Sequence, residues 1–283
     1  VVFDNSQGFT IWGNWGPFAA ANYNMGWHSK GGHDRTFGTN AKAWDWCSVN
    51  NAGFEYYQNA KKDGIGLPPH NPRIWVFRHQ SNASCAPMLR RVWHPIGYSS
   101  NSGWSNFFIN ITAGRLLTYT NTLLKFALPD IVIGTGGGYN TYDIYESVNH
   151  ELSHASHFNK VGSAFWAKYV NYIITYGKKY DHPYGDASCN NSGFCGVGEM
   201  WGYAMGYIRT YEKYQQKPKN GQSKWFQPNL LYDLMTEKIL TKKQIFDCLS
   251  SDVTSHALLK QKMISRYPSK KDSIIAKFSR YGF

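Results

Sequence analysis

The sequence predicts an α+β protein, with strands in its N-terminal half and mostly helices in its C-terminal half. Two short runs rich in aromatic and β-branched residues, Arg73–Gln80 (RIWVFRHQ) and Asp130–Gly134 (DIVIG), are typical of strands. Beyond residue 140, apolar residues recur at helical spacing in several segments, beginning with Tyr142–Asn159. We therefore expect an N-terminal mixed β-sheet portion followed by a mostly helical C-terminal subdomain.

A proline-rich breaker divides the chain into two parts. Leu67–Pro72 reads LPPHNP, which is typical of a boundary between structural units. We predict an N-terminal segment, residues 1–72, that packs on or leads into the second part, residues 73–283. Within the second part we expect a strand-containing half (73–140) and then a helical half (141–283).

Further elements follow from turn residues and from apolar periodicity. A turn at Asn5–Gly8 indicates strands on both sides of it. Asp181–Gly198 is polar and predicts a loop, and the residues from Ser269 onward predict a basic tail. The segments with the pattern of helices are Ala41–Lys62, Ala113–Leu128, Ser163–Tyr176, Glu199–Tyr214, Asn229–Ile239, Lys242–Leu249 and His256–Tyr267.

Composition indicates a folded protein with a basic surface. With 283 residues, 42% of them hydrophobic and 17% aromatic, the chain can bury a substantial core. The net charge of +12 favours anionic partners in general. However, the basic residues form isolated pairs and no recognised nucleic-acid motif accompanies them, so we predict no nucleic-acid partner. These pairs are Lys61-Lys62, Arg90-Arg91, Lys178-Lys179, Lys242-Lys243 and Lys270-Lys271.

Hydropathy and composition also bear on location. Polar and charged residues interrupt even the most apolar region, Phe107–Ile133, so we predict no transmembrane segment. The abundance of Trp, Tyr, Asn and Gly favours an exported protein, secreted or at the cell surface. The chain begins with Val1-Val2-Phe3, which resembles the interior of a strand, so we expect any signal region to lie upstream.

The five cysteines are too few for a disulfide scaffold, and their odd number leaves at least one unpaired. Cys189 and Cys195 bracket a short loop of Asn, Ser and Gly. The sequence leaves open whether these two form a disulfide.

The stretch Tyr142–Asn159 contains His150-Glu151-Leu152-Ser153-His154, a complete H-E-x-x-H. On a helix, residues four apart differ by roughly 40° in direction, so His150 and His154 project from the same face. Two imidazoles so placed can bind one zinc ion at about 2.0–2.1 Å. Glu151 lies beside that face, where its carboxylate can take a proton from a metal-bound water.

A catalytic zinc needs a third protein ligand and one open position for water. The variant H-E-x-x-H-x-x-G-x-x-H is excluded because Lys160 stands where it needs a ligand. His157 lies one turn beyond His154, so we expect it to support a ligand or to serve the core. Glu199, near the predicted start of the next substantial helix, would complete a His₂Glu site; the alternative is an exposed glutamate at a helix terminus.

HELSH at 150–154 and GEMWGYAMGY at 198–207 together resemble the gluzincin class of zinc metallopeptidases. The resemblance covers residues of about 130–210 and implies a zincin-like fold. It implies one catalytic Zn²⁺ bound by His150, His154 and Glu199, with Glu151 as general base. Thermolysin-type members place Asp four residues after the ligand Glu, whereas here that position is Tyr203. The resemblance also implies that a strand ahead of the active helix pairs with extended substrate, namely Ile131, Val132, Ile133 and Gly134.

This resemblance implies a zinc metallopeptidase, expected to be an endopeptidase, that hydrolyses peptide bonds of a protein or peptide substrate. A zinc-activated water would attack the scissile carbonyl while Glu151 acts as general base. Glu146, one turn before His150, is a candidate for orienting a ligand. Candidates for stabilising the oxyanion are Tyr203, Tyr139, His182 and Tyr184.

Two other interpretations remain open from the sequence. One is a non-catalytic secreted or cell-surface protein that binds a glycan or a protein on a zincin-like fold. The other is a structural zinc, which would require a fourth protein ligand. Glu151 separates hydrolysis from binding alone, because only hydrolysis needs the base.

Overall fold

A computed structural model describes residues 2–13, 20–27, 34–78, 84–96, 129–177, 184–218 and 224–283. The predicted helix Ala113–Leu128 and the oxyanion candidate His182 lie outside these described residues. The strands are β1 (Asp4–Asn5), β2 (Phe9–Trp12), β3 (Arg73–Phe77) and β4 (Ile131–Gly134). The helices are α1 (Lys42–Asp63), α2 (Leu89–Ile96), α3 (Thr141–Gly177), α4 (Ser192–Tyr214), α5 (Asn229–Thr236), α6 (Lys242–Cys248), α7 (His256–Arg266) and α8 (Lys271–Arg280), with a 3₁₀ turn at Pro268–Lys270.

The described residues form a mixed α/β structure with a small four-stranded sheet and mostly helical content. The strand order is β1-β2-β3-β4, with β1 antiparallel to β2 and the remaining pairs parallel. Ile11, Ile74 and Ile131 are aligned across the three parallel strands and are fully buried. All four residues of β4 are buried, as is typical of a strand covered on both faces, whereas burial alternates along β3.

The sheet crosses the predicted boundary after Pro72, because β2 precedes that residue and pairs with β3 beyond it. Helix α1 packs over the sheet, and its Gly53 leaves room for the ring of Phe9. Residues 1–72 are therefore joined to the rest of the protein by backbone hydrogen bonds and by core packing.

Helix α3 packs on α1 and, most extensively, on α4. It consists of two helical segments, because Gly162 (φ 82°, ψ 175°) interrupts it with a non-helical backbone. The predicted start of a second helix at Ser163 agrees with this break.

Helix α4 begins at Ser192, so the prediction of a loop as far as Gly198 was wrong. Phe194, Cys195 and Val197 in its first turns are buried in the core. Their packing outweighs the low helix propensity of the glycines that suggested a loop. As a result, Glu199 lies well inside a helix, not at its end.

The prediction of a basic tail from Ser269 was also wrong, because residues 271–280 form α8. Ile274 and Phe278 lie four apart on one face of α8 and are fully buried. The buried Lys277 forms ion pairs with Glu237 and Asp233. The basic residues of this segment therefore cover an amphipathic helix.

All five cysteines are free in the structure, so the candidate disulfide Cys189–Cys195 is absent. Cys195 is buried within α4, whereas the Cys189 thiol is 3.8 Å from Asp186 Oδ1 in the loop before that helix. Within the described part of the chain, no helix has both the length and the apolar character needed to cross a lipid bilayer.

Substitution of Gly162 with Ala should destabilise the protein. The backbone at Gly162 has a positive φ with ψ near 180°, a region that is essentially restricted to glycine, although no atom would touch the added Cβ. We expect the free energy of unfolding to fall by about 1–3 kcal/mol in urea denaturation. The same substitution at Gly198, where the helix is regular, should cost less; equal losses would show that the break at Gly162 is not the cause.

Stability should fall in mild acid because of His256. The His256 ring stacks on Phe283, with ring centroids 4.1 Å apart. Burial lowers the pKa of His256 to about 4, and a hydrogen bond with the Gly196 backbone raises this pKa by a smaller amount. Between that value and its unfolded pKa of 6.5, only the unfolded chain binds a proton at this site. The contribution of His256 is therefore fully present above pH 6.5 and is lost as the pH falls towards 4.

Between pH 6.5 and 4.5 the free energy of unfolding falls in both proteins. We expect the fall to be about 2 kcal/mol smaller for His256→Gln than for the wild type. Urea denaturation with a chelator present measures this without any contribution from metal release. His70→Gln is the control, because that side chain is exposed. Parallel pH profiles for wild type and His256→Gln would contradict the prediction.

Candidate metal centre

Two helices bring three potential metal ligands together. His150 and His154 project from α3 and Glu199 projects from α4. Glu199 Oε2 lies 3.4 Å from His150 Nε2 and 3.6 Å from His154 Nε2, and the two Nε2 atoms are 2.9 Å apart. All three residues are buried: Glu199 is 4% exposed, His150 is 9% exposed and His154 is 2% exposed. The sequence prediction of these three residues as one group therefore agrees with the structure.

Two of the three separations of these atoms suit a shared cation. In a tetrahedral site with metal–ligand distances of 2.0–2.2 Å, ligand atoms lie about 3.3–3.6 Å apart. Both carboxylate–imidazole separations match this range, whereas the 2.9 Å between the two Nε2 atoms is shorter, so the imidazoles would have to move apart on binding an ion. Glu199 Oε2 is buried and has no donor in normal hydrogen-bonding geometry, which is the state expected of a carboxylate oxygen that serves a cation. This buried group could hold a metal ion.

The charge states of the group also favour a metal. Burial lowers the pKa of His150 to about 4, so its ring stays neutral and keeps a lone pair for coordination. Burial raises the pKa of Glu199, but the imidazoles of His154 and His150 outweigh this and hold the pKa well below its usual range. A neutral imidazole and an ionised carboxylate are the forms that bind metals.

Tyr169 supports Glu199, and the sequence analysis missed it. The Tyr169 hydroxyl donates a hydrogen bond to Glu199 Oε1, the oxygen that does not face the imidazoles. In an unbroken helix Tyr169 would lie about 22 Å along the axis from His154. The break at Gly162 redirects the second segment of α3, so the rings of Tyr169 and His154 are 5.8 Å apart. Because this depends on the break, no local pattern around Tyr169 indicates its role.

Glycines on α4 allow the close approach of α3. A Cβ at Gly202 would lie 2.7 Å from His154 Nε2 and 3.0 Å from His150 Nε2. A Cβ at Gly206 would lie 3.1 Å from the carbonyl oxygen of Glu146. Glu146 therefore lies at the contact between the two helices, one turn before His150.

Glu151 is buried beside the ligand group. Its Oε1 lies 3.9 Å from His150 Nε2, and its Oε2 has no hydrogen-bonding partner among the described residues. Burial, followed by the negative charge of Glu199, raises the pKa of Glu151 well above its usual range. A carboxylate in this environment accepts a proton more readily than an exposed one.

His157 is part of the aromatic core. It is fully buried, with its ring centroid 5.4 Å from that of Phe165 and 5.7 Å from that of Trp166. Burial, together with the charges of His154 and Lys160, lowers its pKa to about 3. Among the described residues it does not belong to the metal-ligand group.

The tyrosine candidates occupy two places. The Tyr203 ring packs edge-on against His150 at 4.3 Å, and the Tyr203 hydroxyl is 2.8 Å from that of Tyr184. Tyr139 instead lines a cavity of about 510 Å³ that none of the three candidate ligands lines. Tyr203 and Tyr184 therefore belong to the wall of the metal centre.

The outer edge of β4, predicted to receive substrate, is hydrogen-bonded to residues 84–88. Val132 exchanges two backbone hydrogen bonds with Cys85, at 2.8 and 3.0 Å. Asp130 accepts from the Met88 amide at 3.0 Å, and the Gly134 amide donates to the Ser84 hydroxyl at 3.3 Å. Pairing of a substrate strand along this edge would therefore require these residues to move.

Comparison with protein-family models, with curated proteins and with solved structures finds no match to this chain. The sequence motif and the geometry of the candidate metal centre are therefore the features that indicate a function.

Substitution of Gly202 with Ala should weaken metal binding. The added methyl group would lie within 3.0 Å of both imidazoles, so the rings must shift away from their positions facing Glu199. We expect a loss of zinc affinity of about 10- to 100-fold, measured by competition with a chromogenic chelator. Gly198→Ala is a matched control on the same helix, since its Cβ would make an ordinary 3.5 Å contact with Tyr169. Equal zinc affinities for the two variants would contradict the assignment of the ligands.

Proposed function

We propose that this protein is a zinc-dependent metallopeptidase that hydrolyses peptide bonds in a protein or peptide substrate. The observation that carries the proposal is the buried convergence of His150, His154 and Glu199, with Glu151 beside them on α3. Two imidazoles and one carboxylate form a donor set that catalytic zinc uses, and three protein ligands leave a position for water. Mg²⁺ and Ca²⁺ favour oxygen ligands, so the two imidazoles support zinc.

The H-E-x-x-H motif and the ligand Glu on a second helix support membership of the gluzincin class and a zincin-like fold. In this proposal the cleft lies between the sheet and the helices α3 and α4. Among the described residues the ligand group has three members, which supports a catalytic ion over a closed structural one.

A bound zinc ion would supply a Lewis acid that acidifies a water molecule and polarises the scissile carbonyl. Glu151 accepts the proton of the attacking water on its carboxylate and then delivers this proton to the nitrogen of the leaving amine. Its burial and its raised pKa suit both transfers. Glu199 stays ionised beside the imidazoles, and the Tyr169 hydroxyl fixes its orientation.

Substitution of Glu151 with Gln should abolish cleavage and leave zinc bound, because the amide keeps the shape of the side chain but cannot accept the proton. We expect kcat to fall by about 10²- to 10⁴-fold on a quenched fluorescent peptide mixture, with unchanged zinc content by elemental analysis. Glu212→Gln, on a partly exposed side chain of α4, serves as control.

Two results would count against the proposal. Unchanged cleavage by zinc-loaded Glu151→Gln would exclude Glu151 as the base. No cleavage of any peptide in the mixture by zinc-loaded wild type would favour a protein that binds a partner without hydrolysing it.

A further inference from the structure

A lysine that forms no ion pair with any described residue lies in the aromatic wall of the candidate metal centre. Lys224 Nζ is 4.4 Å from the ring centroid of Tyr203, 4.6 Å from that of Tyr184 and 5.9 Å from that of Phe226. The backbone carbonyl oxygen of Lys224 accepts from the Gln227 amide, but no hydrogen bond or ion pair joins its side-chain ammonium to a residue that the structure describes. Its side chain is only partly exposed, so the ammonium has exchanged part of its hydration for the faces of these rings.

The rings fix the position of this ammonium relative to the ligands. Tyr203, 4.4 Å from Nζ, packs against His150 with centroids 4.3 Å apart. Tyr203 is hydrogen-bonded to Tyr184, whose carbonyl oxygen accepts from Trp225 Nε1 at 2.9 Å. The segment that carries Lys224 is therefore attached to the same wall as the ligand His150.

The charge of Lys224 acts on the metal centre. Burial lowers the pKa of Lys224, and the carboxylate of Glu199 opposes this change. The lysine in turn adds to the lowering of the pKa of His150. Because the Tyr203 ring contacts both the Lys224 ammonium and the His150 imidazole, the ammonium lies one side chain away from the candidate ligands.

The partial burial of an ammonium without an ion pair is unfavourable, and cation–π contacts offset only part of this effect. With a divalent ion bound, transfer of the water proton to Glu151 would move the negative charge of that carboxylate to the carbonyl oxygen, and the total charge of the site would stay the same. An ammonium beside the carbonyl oxygen would stabilise this negative charge where it develops.

We propose that the Lys224 ammonium stabilises the oxyanion that develops on the carbonyl oxygen of the scissile peptide bond, with Tyr203 and Tyr184 holding it in place. This inference rests on the proposed peptidase function. As the water oxygen bonds to the carbonyl carbon, the carbonyl π pair moves to oxygen and Glu151 takes the water proton. Lys224 keeps its own proton throughout, and the C–N bond then breaks as Glu151 protonates the nitrogen.

The test compares zinc-loaded wild type, Lys224→Met and Lys224→Arg on a peptide without acidic residues and with a blocked C-terminus. We expect Lys224→Met to lower kcat by about 10²-fold with KM changed less than about twofold, and Lys224→Arg to restore part of the loss. Lys217→Met is the matched control, because Lys217 is exposed. Zinc content and thermal melting show that the variants remain folded and loaded.

A second measurement does not require turnover. The probe is a peptide phosphinate whose side chains are uncharged and whose anionic group mimics the oxyanion. Calorimetry measures its binding to the zinc-loaded proteins. We expect Lys224→Met to weaken this binding by about the same factor as kcat, and Lys217→Met to leave it unchanged. If the wild type cleaves no peptide, the proposed function fails. The difference in phosphinate affinity between wild type and Lys224→Met still shows whether Lys224 stabilises an anion at the site.

Two outcomes would overturn the inference. One is unchanged kcat and unchanged phosphinate affinity in folded, zinc-loaded Lys224→Met. The other is a loss confined to KM for peptides with an acidic side chain or a free C-terminal carboxylate. That second pattern would assign Lys224 to the recognition of a substrate carboxylate in the ground state.

Discussion

The close contact between α3 and α4 is the constraint on which the metal centre depends. Gly202 lets the backbone of α4 lie directly against the imidazoles of His150 and His154, and Glu199 is positioned by the same helix one turn earlier. The contact also excludes water, which makes an ionised Glu199 expensive unless positive or hydrogen-bonding groups surround it. Two imidazoles and the Tyr169 hydroxyl surround the carboxylate, although Glu199 Oε2 itself accepts no hydrogen bond from a described residue.

A second constraint is the break in α3 at Gly162, which returns aromatic residues to the ligands. Trp166 packs 5.8 Å from His154 and donates from Nε1 to the carbonyl oxygen of Ala86 at 3.0 Å. One side chain therefore contacts both the metal centre and the segment paired with β4. The His154 ring therefore packs between Gly202 of α4 and the aromatic rings of Trp166 and Tyr169.

Sequence reasoning identified the elements that carry strong local signals, including α1, β4 and the helix with H-E-x-x-H. It also grouped Glu199 with the histidines, because a catalytic zinc needs a third ligand and Glu199 lies in the next substantial helix. The contact of Tyr169 with Glu199 and the position of Lys224 could not be found, since they arise from the break at Gly162 and from packing between distant segments. The extent of α4 and the presence of α8 were missed because burial there overrides weak helix propensity and high charge.

The hydrogen-bonded outer edge of β4 has a consequence for solubility. A short run such as Ile131–Gly134, apolar and fully buried, would be a template for pairing with other copies of the chain if its edge were open. Cys85 and Met88 occupy that edge instead, and Arg90 and Arg91 hold the adjacent Asp130 by ion pairs. The pairing of residues 84–88 therefore protects an apolar strand edge from association with other copies of the chain.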